Sequence, residues 1–381
     1  MIDPAQTDEK KLDEKKPTEK SDAKLDAKSD EKKLDLKKPE DKPAETKIAD
    51  VDPAKSHEIS KWKHTRPLTA CRFDPTGKYA FTGAEDNTVQ RWDLATGTAT
   101  LLADGHDSWV RAIGFSLDGQ QVYTGGYDGR LIWWSATAEK PEPLRKIEPA
   151  HDGWLRALAV SPDGRIIATC GNDKLIKLWD AADGKLLGEL AGHEMHVYNV
   201  AFHPSLPVLV SCDLKGIVKQ WDLPEQKHLR DFDPAKALHK YDTTFRADIG
   251  GARSIAFSTD GKLLALGGIT NCTNAFAGVG NPAIVVYDFE TAAITKTHVA
   301  KEPLNGTVWG VRWHPNGYWI GLSGGGGGGM LYFWKPDAVN EFFKLKLPDN
   351  GRDMDLHVDQ KRLAVAHFDQ HLRLMGLFPK S

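Results

Sequence analysis

Residues 161–180 read SPDGRIIATCGNDKLIKLWD, and their punctuation decides the fold. Ser161-Pro-Asp-Gly164 is a turn signal. Arg165 to Thr169 follows as a short run rich in β-branched residues. A second turn falls near Asp173, and Leu175-Ile-Lys-Leu-Trp179-Asp180 then alternates with period two. Alternation between closely spaced turn signals specifies strands in antiparallel succession, not helices.

Working outward, the same turn recurs as Asp74-Pro-Thr-Gly77, Ser116-Leu-Asp-Gly119, Ser258-Thr-Asp-Gly261 and His314-Pro-Asn-Gly317, and in looser form at His203-Pro-Ser and His357-Val-Asp-Gln360. A large apolar residue precedes each: Phe73, Phe115, Val160, Phe202, Phe257, Trp313 and Leu356, at intervals of 42, 45, 42, 55, 56 and 43. Seven copies of one four-stranded unit are implied. A unit this small cannot bury its apolar faces alone, so the copies must stack on one another.

These residues resemble the WD repeats, named for the Trp-Asp pair that closes a unit opened by Gly-His. The pairs here are Trp92-Asp93, Trp179-Asp180 and Trp221-Asp222, with Gly105-His106 and Gly192-His193. The resemblance covers about 57–381 and implies an all-β, seven-bladed β-propeller of four-stranded antiparallel blades. It further implies a hydrogen-bonded His, Ser/Thr, Asp and Trp in each blade: His64, Thr82, Asp86, Trp92; His106, Thr124, Asp128, Trp134; and His151, Thr169, Asp173, Trp179. The fourth copy keeps His193, Ser211 and Trp221 but has Lys215 at the Asp place. Copies five to seven carry Leu266, Leu322 and Val365 at the Ser/Thr place, which puts their ties in doubt. The last copy ends its third strand near Leu377, so residues 57–63 are expected to complete the seventh blade and remove an open edge.

Before the repeats, residues 1–56 hold 14 Lys and 16 Asp/Glu, five prolines and no aromatic residue. Such a segment buries too little apolar surface to offset its ordering entropy, and reads as a disordered polyampholyte tail. A docking arm, or a spacer behind an export signal missing from the sequence, are the alternatives. The whole chain has 50 Lys+Arg against 53 Asp+Glu, which argues against polyanion binding by bulk charge. No apolar run is long enough for a membrane span, and no signal segment opens the sequence, so a cytoplasmic setting is expected. Cys71, Cys170, Cys212 and Cys272 lack Cys-x-x-Cys spacing and read as buried thiols; neither metal nor cofactor is expected.

Three irregularities carry the functional signal. Trp221 to Phe257 spans 36 residues where regular units span 23, the excess reading DPAKALHKYDTTFRADIG (233–250). Leu266 to Tyr287 spans 21 where Thr169 to Trp179 spans 10, and the sixth unit carries six glycines, Gly324 to Gly329. Four antiparallel strands per unit put all three on one face. Lys236, His239, Lys240, Tyr241, Phe245, Arg246, Asn271, Asn274 and Phe276 are the contact candidates there, their aromatic and basic character suiting recognition. The glycine run lacks the Gly-Lys-Ser/Thr of a phosphate loop.

Five residues beyond the His position, the seven copies read Thr69, Arg111, Arg156, Tyr198, Arg253, Trp309 and Arg352. In WD-repeat proteins that bind peptides this register rims the mouth of the central channel. The resemblance therefore implies four converging arginines flanked by Trp109 and Trp154. They either pair with carboxylates such as Asp353, Asp355 or Glu85, or capture an acidic or phosphorylated segment of a partner protein. A non-catalytic interaction scaffold is the leading reading. The alternative is a propeller hydrolase or lyase with a small-molecule site at the mouth, for which His239, Lys240, Tyr241 and Asp242 form the one unrepeated cluster. Nucleic acid is disfavoured by the near-neutral balance, and a membrane partner is not expected.

Overall fold

The structure, a computed structural model, describes residues 47–380 apart from 275–278 and 303. The expected tail through residue 46, together with Phe276, lies outside the described residues, as does the side chain of Asn274. Seven four-stranded antiparallel sheets are arranged as the blades of a propeller. Blades one to four occupy 68–102, 110–147, 155–190 and 197–231; blades five and six occupy 254–299 and 307–346; blade seven comprises 351–376 and borrows 57–63. The innermost strands of successive blades touch around a closed circle.

Burial follows strand position. In blade three the second strand, Ile166–Gly171, is buried at every residue, the third, Ile176–Asp180, mixes buried and half-buried residues, and the outermost, Leu186–Leu190, is exposed or half-buried except at Leu190. A strand covered on both faces reads as a continuous apolar run, which is why Ile166-Ile-Ala-Thr-Cys170 scarcely alternates. The apolar core is divided into seven clusters, each joining two neighbouring blades. Blades are therefore held chiefly by their seams.

The ring closes by sheet pairing. His57–Lys63 lies antiparallel to His371–Gly376, with Trp62 opposite Leu372, and the buried Arg373 guanidinium reaches Glu58 at 3.1 Å and Asp369 at 2.5 Å. The tail boundary needs correction. Residues 47–56, expected to be disordered, run across blades six and seven. The Ile48 amide donates to Asn316 Oδ1 at 2.7 Å, Asn316 Nδ2 donates to Ile48 O at 3.0 Å, and the Asp52 amide donates to Leu377 O at 2.8 Å. Val51 packs into the seam between those blades. One apolar residue and a few backbone bonds anchor a strap whose composition matches the tail before it.

The polar ties are sharpest in blades two and three. Trp134 Nε1 donates to Thr124 Oγ1 at 2.9 Å, Thr124 meets His106 Nε2 at 2.8 Å, and His106 Nδ1 faces Asp128 Oδ2 at 3.0 Å. The blade-three distances are 2.8, 2.7 and 2.9 Å for Trp179, Thr169, His151 and Asp173. In blade one Trp92 holds Thr82 at 2.9 Å, but His64 Nε2 turns to Thr88 at 3.3 Å and Nδ1 stands 3.6 Å from Asp86. Blade four repairs its own defect. Asp213, two residues before Lys215, faces His193 Nδ1 at 3.1 Å, and its other oxygen accepts from the amides of Lys215 and Ile217.

Blades five to seven use other means. Leu266, Leu322 and Val365 are fully buried among apolar neighbours. Turn histidines then latch adjacent blades: His203 Nε2 bonds to Gly261 O, His314 Nε2 to Gln360 O and His357 Nε2 to Gly77 O, at 3.2, 2.8 and 2.9 Å. The Nδ1 atoms of His203 and His314 accept from the amides of Ser205 and Asn316, which fixes the tautomer with hydrogen on Nε2, whereas His357 Nδ1 faces both the Asp359 amide at 3.1 Å and its carboxylate at 2.9 Å.

Candidate partner-binding mouth of the channel

The mouth residues project from irregularities in the innermost strands. Register shifts fall between Leu68 and Ala70, Val110 and Ala112, Leu155 and Ala157, Val197 and Asn199, Val308 and Gly310, and Gly351 and Asp353. Each shift leaves one residue between its flanking pairs: Thr69, Arg111, Arg156, Tyr198, Trp309 and Arg352. A β-bulge re-aims the unpaired side chain, so the same device repeated in six blades turns this register toward the axis. In blade five Arg253 stands just before the first strand, its amide bonded to Gly267 O at 2.7 Å.

The side chains converge. A cavity of about 350 Å³ is lined by Arg111, Arg156, Tyr198, Arg253 and Trp309, with Tyr127 beside them and Arg72, Arg312 and Asp353 among the remaining lining residues. The guanidiniums stack on aromatic faces. Arg111 lies 5.8 Å from the Trp309 ring centre, Arg253 lies 5.6 Å from Trp309 and 4.6 Å from Tyr198, and Arg156 lies 4.1 Å from Tyr198 and 5.1 Å from Trp154. Cation and aromatic thus alternate around the mouth. Because Arg156 and Arg253 share the Tyr198 ring, their charges are no more than about 9 Å apart. At that spacing and an effective dielectric of about 20, each such pair repels by roughly 2 kcal/mol.

The nearby carboxylates are largely committed elsewhere. Asp353 takes Arg72 at 2.6 Å and the Cys71 amide at 3.1 Å; Asp355 takes Arg312 at 3.0 Å and the Phe73 amide at 3.0 Å. These bonds stitch blade seven to blades one and six. Glu85 pairs with Arg352 at 3.3 Å. Burial, with Arg111 close by, nevertheless holds the Arg352 pKa below its ordinary value. Among the described residues no carboxylate comes within 4.0 Å of the Arg111, Arg156 or Arg253 nitrogens. Arg111 donates to the carbonyls of Thr69 and Arg352, Arg156 Nε donates to Asn172 at 2.6 Å, and Arg253 Nε is buried without a partner.

Trp109 and Trp154 flank the opening, 39% and 43% exposed. Tyr127 stacks with Trp154 at 4.2 Å and 5°, and with Trp109 at 6.2 Å. Sequence reasoning missed Tyr127. It sits in the hairpin between the second and third strands of blade two, one residue before Asp128, the register that Glu85 and Asn172 hold in blades one and three; its amide bonds to Trp109 O as theirs bond to Pro67 O and Trp154 O, so the repeat itself was the signal.

The inserted segments form an annex. Lys236–Leu238 makes a short 3₁₀ turn, and His239–Asp242 pairs with Ala247–Gly250 as a separate two-stranded ribbon. In blade five the second and third strands lengthen to Leu263–Asn274 and Val279–Asp288. Lys236, His239 and Lys240 face Ile269–Thr273, Asn271 included, across a cavity of about 480 Å³. The four-residue cluster at 239–242 does not converge on a reacting centre. His239 Nε2 is held by Asp248 at 2.8 Å, Asp242 caps the amides of Thr244 and Phe245 at 2.9 and 3.0 Å, and Tyr241 points to solvent. The rigid turn displays Phe245, 52% exposed, beside Arg246 at φ 50°. The glycine run packs against neighbouring backbone: a Cβ at Gly324 would meet Gly351 O, and one at Gly329 would meet Asp349 O.

A family profile for the WD domain, G-beta repeat, matches 57–93, 98–135, 141–180, 184–222 and 295–335, together about half of the sequence. The chain belongs to the WD40 repeat family. Each matched WD40 segment begins on the outermost strand of one blade and ends on the third strand of the next. The first three strands of blades five and seven and the outermost strands of blades four and six fall outside the matches. Among relatives, the nuclear distribution protein nudF of Aspergillus niger is 29% identical over 180 residues, covering 42% of this chain and 41% of that protein. Polyadenylation factor subunit 2 of Gibberella zeae is 35% identical over 177 residues, covering 46% and 28%, and mouse striatin 26% over 173, covering 42% and 18%. The chain thus spans less than half the length of these curated relatives. Among the described residues no helix is long and apolar enough to cross a membrane.

Proposed function

We propose that this WD40 chain is a non-catalytic adaptor that captures an acidic or phosphorylated segment of a partner protein at the channel mouth, with the annex widening the contact. One observation carries the reading: three guanidiniums converge on one opening with no carboxylate countercharge among the described residues. An unmet cationic cluster is costly in the free protein and is relieved by a bound anion. The histidines, aspartates and threonines that could mimic catalytic groups are committed to blade ties. Relatives named as a subunit and as a nuclear distribution protein suit an adaptor. Four buried cysteines without Cys-x-x-Cys spacing suit a reducing compartment such as the cytoplasm.

The test is charge reversal at two arginines that hold no ion pair among the described residues. Arg156→Glu with Arg253→Glu is expected to abolish partner capture in affinity purification from the source cell, with the melting temperature changed by less than about 3 °C. Unchanged capture by the folded double variant would reject the mouth as the binding site.

A further inference from the structure

The mouth distinguishes between the two kinds of anion that the adaptor reading admits. Among the described residues Arg111, Arg156 and Arg253 leave three positive charges uncompensated, because Glu85 serves Arg352 and the nearby aspartates serve Arg72 and Arg312. A carboxylate would cancel one of the three and offer two oxygens. A phosphomonoester near neutral pH carries a charge approaching −2 and offers three.

The guanidiniums are also pre-oriented. Aromatic faces on two sides hold Arg253 and Arg156, so their in-plane N–H edges are fixed and little rotamer entropy remains to be lost. Arg253 Nε is buried and lacks a protein acceptor, and thus awaits one. The surrounding field has the same sign: His196 is held below its ordinary pKa by burial first, then by Arg156 and Lys174.

Resting on the adaptor reading, we propose that the mouth is a phosphoryl site, selecting a phosphoserine or phosphothreonine of the captured segment over a carboxylate, with Trp109, Tyr127 and Trp154 as the shelf for an adjacent apolar residue. Tyr127 both lines the cavity and stacks on Trp154, so the shelf begins at the wall of the anion site. An extended segment advances about 3.3 Å per residue, which brings a side chain one or two places from the phosphate over these rings. The exposed tryptophans give that side chain apolar area that inorganic phosphate cannot use.

The experiment is fluorescence anisotropy on the full chain. Its probes are a labelled peptide with phosphothreonine between two leucines, its glutamate counterpart, and inorganic phosphate as competitor. The phosphopeptide is expected to bind at least about tenfold tighter than the glutamate peptide. Trp109→Ala, at the one shelf tryptophan that stacks on no anion-site guanidinium, is expected to weaken the phosphopeptide about fivefold while leaving competition by inorganic phosphate unchanged. Equal binding of both peptides, lost in the Arg156→Glu/Arg253→Glu variant, would overturn phosphoryl selection and leave the acidic-segment reading standing. Binding of neither would overturn both. Inorganic phosphate competing as tightly as the phosphopeptide would overturn the shelf.

Discussion

Blades two and three and blades five to seven build the same four-stranded sheet by different chemistry. In the first pair a buried histidine from the loop entering the blade joins a threonine on the second strand, a tryptophan on the third and an aspartate in the turn between those strands. In the second group the threonine position is Leu266, Leu322 or Val365, and buried histidines reach backbone carbonyls instead: His298 to Ala338 O at 2.7 Å and His367 to Asp349 O at 3.0 Å. The fold thus requires a filled interior between blades, not the particular polar tie. What differs is the response of the two regions to perturbation.

Acid gives the largest expected separation. Burial pushes His298 and His367 down to about 4, whereas the unfolded chain titrates near 6.5. Unfolding therefore takes up protons between those values. The neutral rings contribute fully above about pH 6.5, and the contribution is lost as pH falls toward 4, by about 3 kcal/mol for each. His314 shifts in the same direction, also through burial. In blades two and three, Asp128 and Asp173 are held below the usual carboxylate range despite burial, by their histidine partners and backbone amides. That contribution persists until pH falls below about 4. Hydrogen exchange followed by mass spectrometry between pH 7 and pH 4 should show protection failing in 254–376 before 110–190. Simultaneous failure would remove the distinction.

Single histidines should separate the regions more modestly. His151→Ala strands the buried Asp173 carboxylate and Thr169 and is expected to cost about 2–3 kcal/mol. His314→Ala loses the bonds to Gln360 O and from the Asn316 amide and a stacked contact with Tyr318 at 4.5 Å, but strands no charge, and costs about 1–2 kcal/mol. Urea midpoints of the two variants check the order. A larger loss at His314 would mean that latches between blades, not ties within them, dominate.

The blade count was legible because the turn and its preceding apolar residue, Phe73 through Leu356, obey a rule of local geometry that each unit must satisfy separately. The mouth register was legible by its offset from the histidine position. The bulges that aim those residues were not, because a register shift depends on pairing with a second strand and leaves no composition of its own. The strap at 47–56 was illegible for a related reason. Its anchor is Asn316, 268 residues from Ile48, and nothing in the charged sequence announces a partner so distant. Which carboxylate serves which arginine depended likewise on side-chain reach: Asp353 and Asp355 turn to Arg72 and Arg312, leaving Glu85 for Arg352.

Blade four supplies the smallest effect and the finest discrimination. By the family pattern Lys215 is a defect, and Lys215→Asp looks like a repair. Asp213 already fills the place: one oxygen faces His193 Nδ1 at 3.1 Å, and the other accepts from Lys215 N and Ile217 N at 2.9 and 3.0 Å. Only 1% of Asp213 is exposed. A second carboxylate in this turn would find no free ring nitrogen, because His193 Nε2 is engaged by Ser211 at 2.7 Å. It would add like-charge repulsion instead. Lys215→Asp is therefore expected to change stability by no more than about 0.5 kcal/mol, and toward loss. A gain of about 1 kcal/mol or more in the urea midpoint series would show that Asp213 is an imperfect substitute and that blade four belongs, energetically, with the untied blades.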